Sequence, residues 1–349
     1  MDMLAVQRDL AIQTEDKSGL YVLDMAMGYS VQAALRVAAM LGLADHLRDG
    51  PKTAAELGAA TESEPRRLTQ VLRLLCTREV FREDEQGRYH LTPAAENLRS
   101  DHPRSLRDAV MMITHPALWN SASQLIETVK GRSAFKKSSG MYFWEYWAKA
   151  EQDQEHFDVG MRSMSLPENE FLLAACEFPE HATVVDIAGG QGGMLLRVLQ
   201  LNPTVRGILF DQQHVLPKHR LGELGDDSRW QLAAGDFFKE GDIPAGADIY
   251  TAKYITHDWA DADAIRILRN VRKAMTKPGS KLLVMDAVIE PGSNKPDTGR
   301  VMDVVCAAIY ASMERTEEEH RHILEQAGFR LNRIIDTGMY IKVVEAIPV

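Results

Sequence analysis

From Leu20 to about Asn97 the apolar residues fall in short helical runs, whereas from Thr183 onward short continuous apolar runs alternate with helical stretches. The first texture predicts an all-α unit and the second an α/β unit. In the first, GYSVQAALRVAAMLGLADHL reads as a helix that stops at Gly50-Pro51, and Thr53 with Glu56 forms a capping box for AAELGAAT. Pro65 stands in the first turn of a third helix, RRLTQVLRLLCTREV, and VFREDEQGRYHLT folds back at Gly87 as a hairpin. Three helices and a hairpin describe a winged helix, expected over 1–104. Residues 105–349 then hold a helical linker and the α/β unit. The linker reads as further helices, including LRDAVMMITHPALWNSASQLIETVKG and FWEYWAKAEQDQEHFDVGMRSMSLPENEFLLAACEF. A Met and aromatic stripe of this kind is more often core than ligand site.

In the α/β part, TVVDIAGGQGG is a strand running into Asp186 and the glycines Gly189, Gly190, Gly192 and Gly193, with the helical pattern MLLRVLQ directly after it. Glycines let a ligand approach the backbone, and the helix N-terminus offers unpaired N–H groups. Three ligands compete. No Gly-Lys-Ser or Gly-Lys-Thr follows, so a triphosphate loop is excluded, and Leu195 occupies the third glycine position of the dinucleotide pattern. Asp186 ahead of the glycines repels a pyrophosphate but suits the cationic methionyl end of S-adenosylmethionine. The next strand, VRGILFD, ends on Asp211, about twenty residues after the glycines, where a carboxylate accepts from both ribose hydroxyls. Asp236 and Phe237, in QLAAGDFF, can take an adenine amino group and pack on the base. Singly, each acid is more often a turn or cap residue; the joint spacing favours a nucleoside site.

A strand over Ile249–Ile255 breaks at Thr256-His257-Asp258, which puts His257 at the carboxyl end of a strand, the ligand edge of an open α/β sheet. An imidazole there can take a proton near neutral pH. A strand through SKLLVMDAVI ends around Asp286, and an apolar helix then runs into Glu314-Arg315-Thr316, where Thr316 and Glu319 form a capping box. Glu314 is either a helix-entry carboxylate or, if the fold brings it to His257, the group that holds the imidazole N–H.

The chain has 349 residues, more than one core usually serves, and 45% apolar with 26% charged residues excludes a disordered or fibrous protein. The net charge of -10 works against a nucleic-acid partner. So does the winged-helix region: between Pro51 and Ser100 eight basic residues, Arg66, Arg67 and Arg73 among them, face eight acidic ones. Cys76, Cys176 and Cys306 show neither disulfide nor zinc spacing. The start, MDMLAVQRDLAIQTEDKSG, lacks a leader pattern, and no stretch of about eighteen uncharged apolar residues occurs, so a cytoplasmic protein away from membranes is expected.

Together these motifs resemble the S-adenosylmethionine-dependent small-molecule O-methyltransferases, which include plant phenylpropanoid and bacterial antibiotic and phenazine enzymes. The likeness spans nearly the whole chain. It implies a doubly wound, Rossmann-like class I methyltransferase domain preceded by a winged-helix dimerisation domain, and a homodimer in which the N-terminal helices of one subunit line its partner's pocket. VVDIAGGQGG is similar to the family's cofactor loop, FDQQHV, with Asp211 and Gln212, to its ribose-binding strand end, and GDFF to its adenine step. KYITHDWAD resembles the catalytic signature. The resemblance makes His257 the base, Glu314 the acid that orients it and Asp286 a second supporting acid, with Lys253 and Asp258 beside the cofactor. Phe157, Met161, Met164, Met302 and Met313 are the expected acceptor-binding residues. No metal is required: proton removal and in-line attack on the methyl group suffice, and no cluster of hard oxygen ligands is evident. Ala188 stands at the family's usual first loop glycine, and Ala311-Ser312 where two glycines are common. Three alternatives stay open: a relative catalysing hydroxylation or a pericyclic step, methylation of nitrogen or carbon, and a winged-helix regulator sensing a small ligand.

Overall fold

The computed structural model describes residues 17–149, 151–292 and 294–349, and the side chains of 151–156 are left aside; the first sixteen residues of the start searched for a leader pattern lie outside the described residues. The chain forms two compact units, Met1–Thr114 and His115–Val349. No described helix is long and apolar enough to cross a membrane.

In the first unit a helix over 17–26 precedes helices Tyr29–Met40, Leu43–His46, Ala54–Ala60 and Pro65–Cys76. The single helix expected up to Gly50 is broken, because Gly42 adopts φ +60° and turns the chain between Met40 and Leu43. The Thr53–Glu56 capping box is formed. Strands β2 (Phe81–Glu83) and β3 (Arg88–Leu91) make the hairpin around Gly87, and β1 (Lys52–Thr53), unread in the sequence, pairs with β3. Leu43, Leu57, Leu72, Leu75, Phe81 and Tyr89 fill the core. Arg67 pairs with Glu64 and Arg73 with Glu83, so the third helix's cations have acids beside them. The unit also takes in the helix Arg107–Ile113, fastened by Arg36 donating to the Met111 carbonyl at 2.8 Å.

The second unit is built on a sheet of strand order β10-β11-β8-β7-β4-β5-β6. These strands are β4 (Thr183–Ile187), β5 (Arg206–Asp211), β6 (Trp230–Ala234), β7 (Ile249–Lys253), β8 (Lys281–Ile289), β10 (Phe329–Ile335) and β11 (Ile341–Pro348), and the two-residue β9 (Arg315–Thr316) pairs with the end of β8. From β4 to β8 the pairing is parallel, and β11 runs antiparallel to both its neighbours, β8 and β10. Successive β4 residues feed opposite faces: Val184 packs with Leu195, Leu199 and Met285, Val185 with Tyr250, Leu268 and Val284. Burial on both faces is why this strand reads as a continuous apolar run. β4 lies between β5 and β7, so the chain leaves it in opposite directions, and the crevice at its carboxyl end is where such sheets take ligands.

The linker is more broken than its two long runs suggest. Pro116, Gly131 and Gly140 punctuate it into helices Pro116–Ala122, Leu125–Val129, Ala134–Ser139 and Phe143–Lys149, followed by Glu151–Ala174 with Pro167 inside.

Candidate active site

The loop after β4 is shaped by the absence of side chains. Asp186 is buried; its Oδ1 accepts from the Thr251 hydroxyl of β7 at 2.8 Å, while Oδ2 is buried without a hydrogen-bond partner. Burial pushes this carboxyl up to about 7, against the opposing Thr251 bond. A Cβ on Gly189 would lie 2.3 Å from Asp186 Oδ2 and 2.7 Å from the Leu209 Cδ1. Gly190 (φ +60°) donates to Asp211 Oδ2 at 2.8 Å and the Gln212 N–H to Oδ1 at 2.7 Å. Both Asp211 oxygens therefore keep a fixed direction with lone pairs to spare. Ala188 has φ +50°, a left-handed backbone that a glycine would adopt without strain. Asp236 is exposed and caps its own turn, Oδ1 accepting from the Phe238 N–H at 2.8 Å, while Phe237 meets Trp259 edge-on at 5.9 Å.

The second half of the site gathers around the turn after β7. His257 lies in the one-turn helix Thr256–Asp258 and is buried. Its Nδ1 stands 2.7 Å from Glu314 Oε1 and its Nε2 3.3 Å from Asp258 Oδ1. Cys306, unread as a site residue, approaches the same pair, with Sγ 3.7 Å from Nδ1 and 3.9 Å from Glu314 Oε1. Burial opposes the imidazolium, yet Asp286, Cys306, Glu314 and Asp258 together outweigh it and hold His257 well above the usual histidine range. Burial likewise raises Asp258 to about 7 and pushes Glu314 up. Asp286 lies inside β8, which runs on to Ile289, and accepts from the Thr256 hydroxyl, bracing the turn from beneath.

Two neighbours that sequence reading passed over lock Glu314 to this turn. The fully buried Arg315 donates to the carbonyls of Thr256 (2.7 Å) and Trp259 (2.9 Å) and to Asp261 (2.8 Å). Ser312 donates to the His257 carbonyl, and the Glu314 N–H is held by Asp303 at 2.9 Å. Only the Glu-Arg-Thr run ahead of a capping box hinted at this in the sequence.

Lys253, at the end of β7, reaches the helix Glu151–Ala174, 3.0 Å from Glu168 Oε2 and 3.0 Å from Asn169 Oδ1. Of the expected acceptor residues, Phe157 belongs to an aromatic wall. It stacks on Trp147 at 4.8 Å and meets Phe143, which touches Tyr310 at 4.7 Å, and Tyr310 stands 6.4 Å from the His257 ring. Met161 and Met164 pack on the core around Leu172 and Val184. Met302 is half-buried on the helix Thr298–Ile309, and Met313 is exposed beside Glu314. One donor atom each from His257, Cys306 and Glu314 lies within 4.8 Å of the others, a spacing open to a metal, but Nδ1 and Oε1 are already engaged as a pair.

A glycine loop at the carboxyl end of β4, one strand from a buried histidine and its acids, suits a group-transfer enzyme. Two family models match the chain, an O-methyltransferase domain over residues 119–330 and an O-methyltransferase dimerisation domain over 23–101. The chain belongs to this O-methyltransferase family and is an S-adenosylmethionine-dependent methyltransferase. It is 36% identical to the phenazine O-methyltransferase PhzM of Lysobacter antibioticus, covering 94% of this chain and 96% of that one. It is also 32% identical to the 8-amino-8-demethylriboflavin N,N-dimethyltransferase of Streptomyces davaonensis, covering 93% of each. The crystal structure of CalO1, a methyltransferase in calicheamicin biosynthesis in its SAH-bound form, superposes with a TM-score of 0.87 at 37% identity, covering 95% of this chain and 98% of that one.

The residues present fit the cofactor. The unpartnered Asp186 Oδ2 offers a buried acceptor to a cationic group, and Gly189 lacks the Cβ that would run into that carboxylate.

Proposed function

We propose that this chain methylates a hydroxyl of a small aromatic metabolite, with His257 as the general base. The observation that carries the reading is the Glu314–His257 pair at 2.7 Å, standing at the strand edge next to the loop after β4. When bound, S-adenosylmethionine supplies a methyl group on a positively charged sulfur, open to attack by a nucleophilic oxygen. Asp186 and Lys253 are assigned to its methionyl end, Asp211 and Gln212 to the ribose, and Asp236 and Phe237 to the adenine. Asp258, 3.3 Å from the His257 Nε2, would lie beside the cofactor. His257 takes the acceptor's proton through Nε2, and Glu314 holds the Nδ1–H and stabilises the resulting positive charge. Asp286 steadies the turn through Thr256. The wall of Phe143, Trp147, Phe157 and Tyr310 suits a planar acceptor, and Met302 and Met313 are assigned to the acceptor as well.

The raised imidazole adds a condition. As a base His257 must first be neutral, so turnover is expected to climb with pH until well beyond the pH that an ordinary histidine requires. We further propose a homodimer: Leu20, Tyr21, Val22, Leu23, Met25 and Met27 are all more than half exposed on the first unit, an apolar face fit for a second copy.

Mass spectrometry of purified protein with S-adenosylmethionine and paired phenol and aniline acceptors tests the reading. A gain of one methyl group on the phenol, with S-adenosylhomocysteine formed, supports it. Methylation of the aniline alone assigns the chain to nitrogen, as in the dimethyltransferase relative. No methylated product overturns it.

A further inference from the structure

We propose that Tyr254 is a positioning residue for the base: it stacks on the His257 imidazole and is itself anchored through its hydroxyl to Glu168 and Tyr340. The proposal deepens, and rests on, the reading of His257 as the base. The two rings lie 5.1 Å apart with their planes 13° from parallel. Glu314 holds the imidazole at one edge through Nδ1 and Asp258 stands 3.3 Å from Nε2 at the other, but neither contact bears on the face of the ring. The phenol ring stacks on that face and restrains the tilt of the imidazole.

Tyr254 is placed there against local preference. Its backbone has φ +58°, a left-handed conformation in which a bulky residue persists only where its surroundings over-determine it. They do so here. The Tyr254 N–H donates to the Met285 carbonyl at 3.1 Å, and its hydroxyl donates to Glu168 Oε1 at 2.6 Å. The Tyr340 hydroxyl donates to the same oxygen at 2.7 Å and also touches the Tyr254 hydroxyl. Lys253 pairs with the other Glu168 oxygen. A buried acid on the helix Glu151–Ala174 and a tyrosine from the β10–β11 hairpin thus converge on one phenol, and none of them was legible as a site residue. The other groups facing the imidazole are Asp258 on its own turn, Asp286 of β8, Cys306 and Tyr310 from the helix Thr298–Ile309 and its end, and Glu314.

The test compares Tyr254→Leu, Tyr254→Phe and Glu168→Gln in the full-length protein. Each is followed by kcat and KM for both substrates, by melting temperature, and by NMR titration of the His257 imidazole. With the stack removed, Tyr254→Leu is expected to lower kcat about tenfold on its high-pH plateau, where the imidazole is neutral in both proteins, to leave the KM for S-adenosylmethionine within about twofold, and to lower the imidazole pKa, since an aromatic face favours the cation. Tyr254→Phe keeps the stack and should retain the titration, with kcat within about threefold of the parent. Glu168→Gln loosens the anchor while keeping the ring, and shifts both readouts in the direction of the Leu variant by less; it carries the test should Tyr254→Leu fail to fold. An unchanged titration in both Tyr254→Leu and Glu168→Gln overturns the proposal. A titration that moves while kcat stays level overturns His257 as the base, and positioning for catalysis with it.

Discussion

The loop after β4 and the turn after β7 lie one strand apart, each opens on a left-handed residue that is not glycine, and they are made by opposite means. The first is local. Asp186 through Gly192 form one continuous run, and what matters is room and backbone N–H groups, so Gly189 is bare where a Cβ would meet Asp186 and Gly190 donates to Asp211. The second is assembled. His257 meets Glu314 and Cys306 from segments about fifty residues away, a ring from Tyr254, and a brace from Asp286 through Thr256. Holding a ligand needs space and dipoles that a short motif carries by itself. Tuning a proton needs charges from several directions, which only the tertiary fold brings together.

That contrast predicts that the two regions fail differently. The largest effect is expected for His257→Ala, which should cut turnover by about a hundredfold or more while calorimetric titration shows S-adenosylmethionine binding intact. Equal loss of binding would mean that the turn and the loop form one unit and would sink the distinction. Next comes Gly189→Ala. The Leu209 methyl can yield, but the Asp186 carboxylate is what the loop exists to hold, so the variant is expected to lose about 1–3 kcal/mol of stability. It should also bind the cofactor more weakly, with turnover at saturating cofactor little changed. Urea denaturation and saturation kinetics check the two halves.

A third experiment uses protons. Asp186 titrates at about 7 in the folded protein against an ordinary aspartate value in the unfolded chain. A group raised in this way gives its full stabilising contribution below the unfolded pKa and loses it as pH rises toward 7. Asp186→Asn lacks that loss, so its stability relative to the parent is expected to rise between pH 4 and pH 7 in urea titrations. If a cationic group of the cofactor meets this carboxylate, binding releases the proton. Affinity should then fall as pH drops below 7, with a limiting slope of about tenfold per pH unit. A flat affinity profile would remove Asp186 from the methionyl end.

How much was legible follows the same division. The capping boxes at Thr53 and Thr316 and the hairpin at Gly87 depend on neighbours within a few residues, and the glycine loop and Asp211 at the end of β5 carry short local patterns, so each stands in the sequence. His257 and Glu314 were visible as types in suitable places, but their 2.7 Å meeting depends on Arg315 and Ser312 bonding across to the turn. Those bonds leave no periodic trace. In the sequence the Asp286 carboxylate interrupts an apolar run and so resembles a strand end, whereas Ala287, Val288 and Ile289 continue the run and pairing with β9 and β11 carries β8 on to Ile289. The helix expected up to Gly50 failed at Gly42, where one left-handed glycine outweighed continuous amphipathic spacing. Glu168 and Tyr340 gave no signal at all, since a buried acid and a hairpin tyrosine acquire meaning only through each other.

The smallest expected effect tests whether the left-handed residues belong to the two regions in the same way. Ala188 carries φ +50°, and its side chain offers only the van der Waals packing of one half-buried methyl group against the core. Tyr254 carries φ +58° with its ring on the base and its hydroxyl on Glu168. In Ala188→Gly the release of left-handed strain, about 1 kcal/mol, is partly offset by the greater freedom of glycine in the unfolded chain. A net gain of a few tenths of a kcal/mol up to about 1 kcal/mol is expected, with cofactor affinity unchanged or slightly improved. Tyr254→Gly relieves the same strain and loses the ring and the Glu168 bond, so it should destabilise the fold by clearly more than Ala188→Gly stabilises it. Denaturation of the two variants side by side reads the difference. If Ala188→Gly destabilises instead, the alanine methyl has a packing role against the core, and the loop after β4 is not the purely backbone device that separates it from the turn after β7.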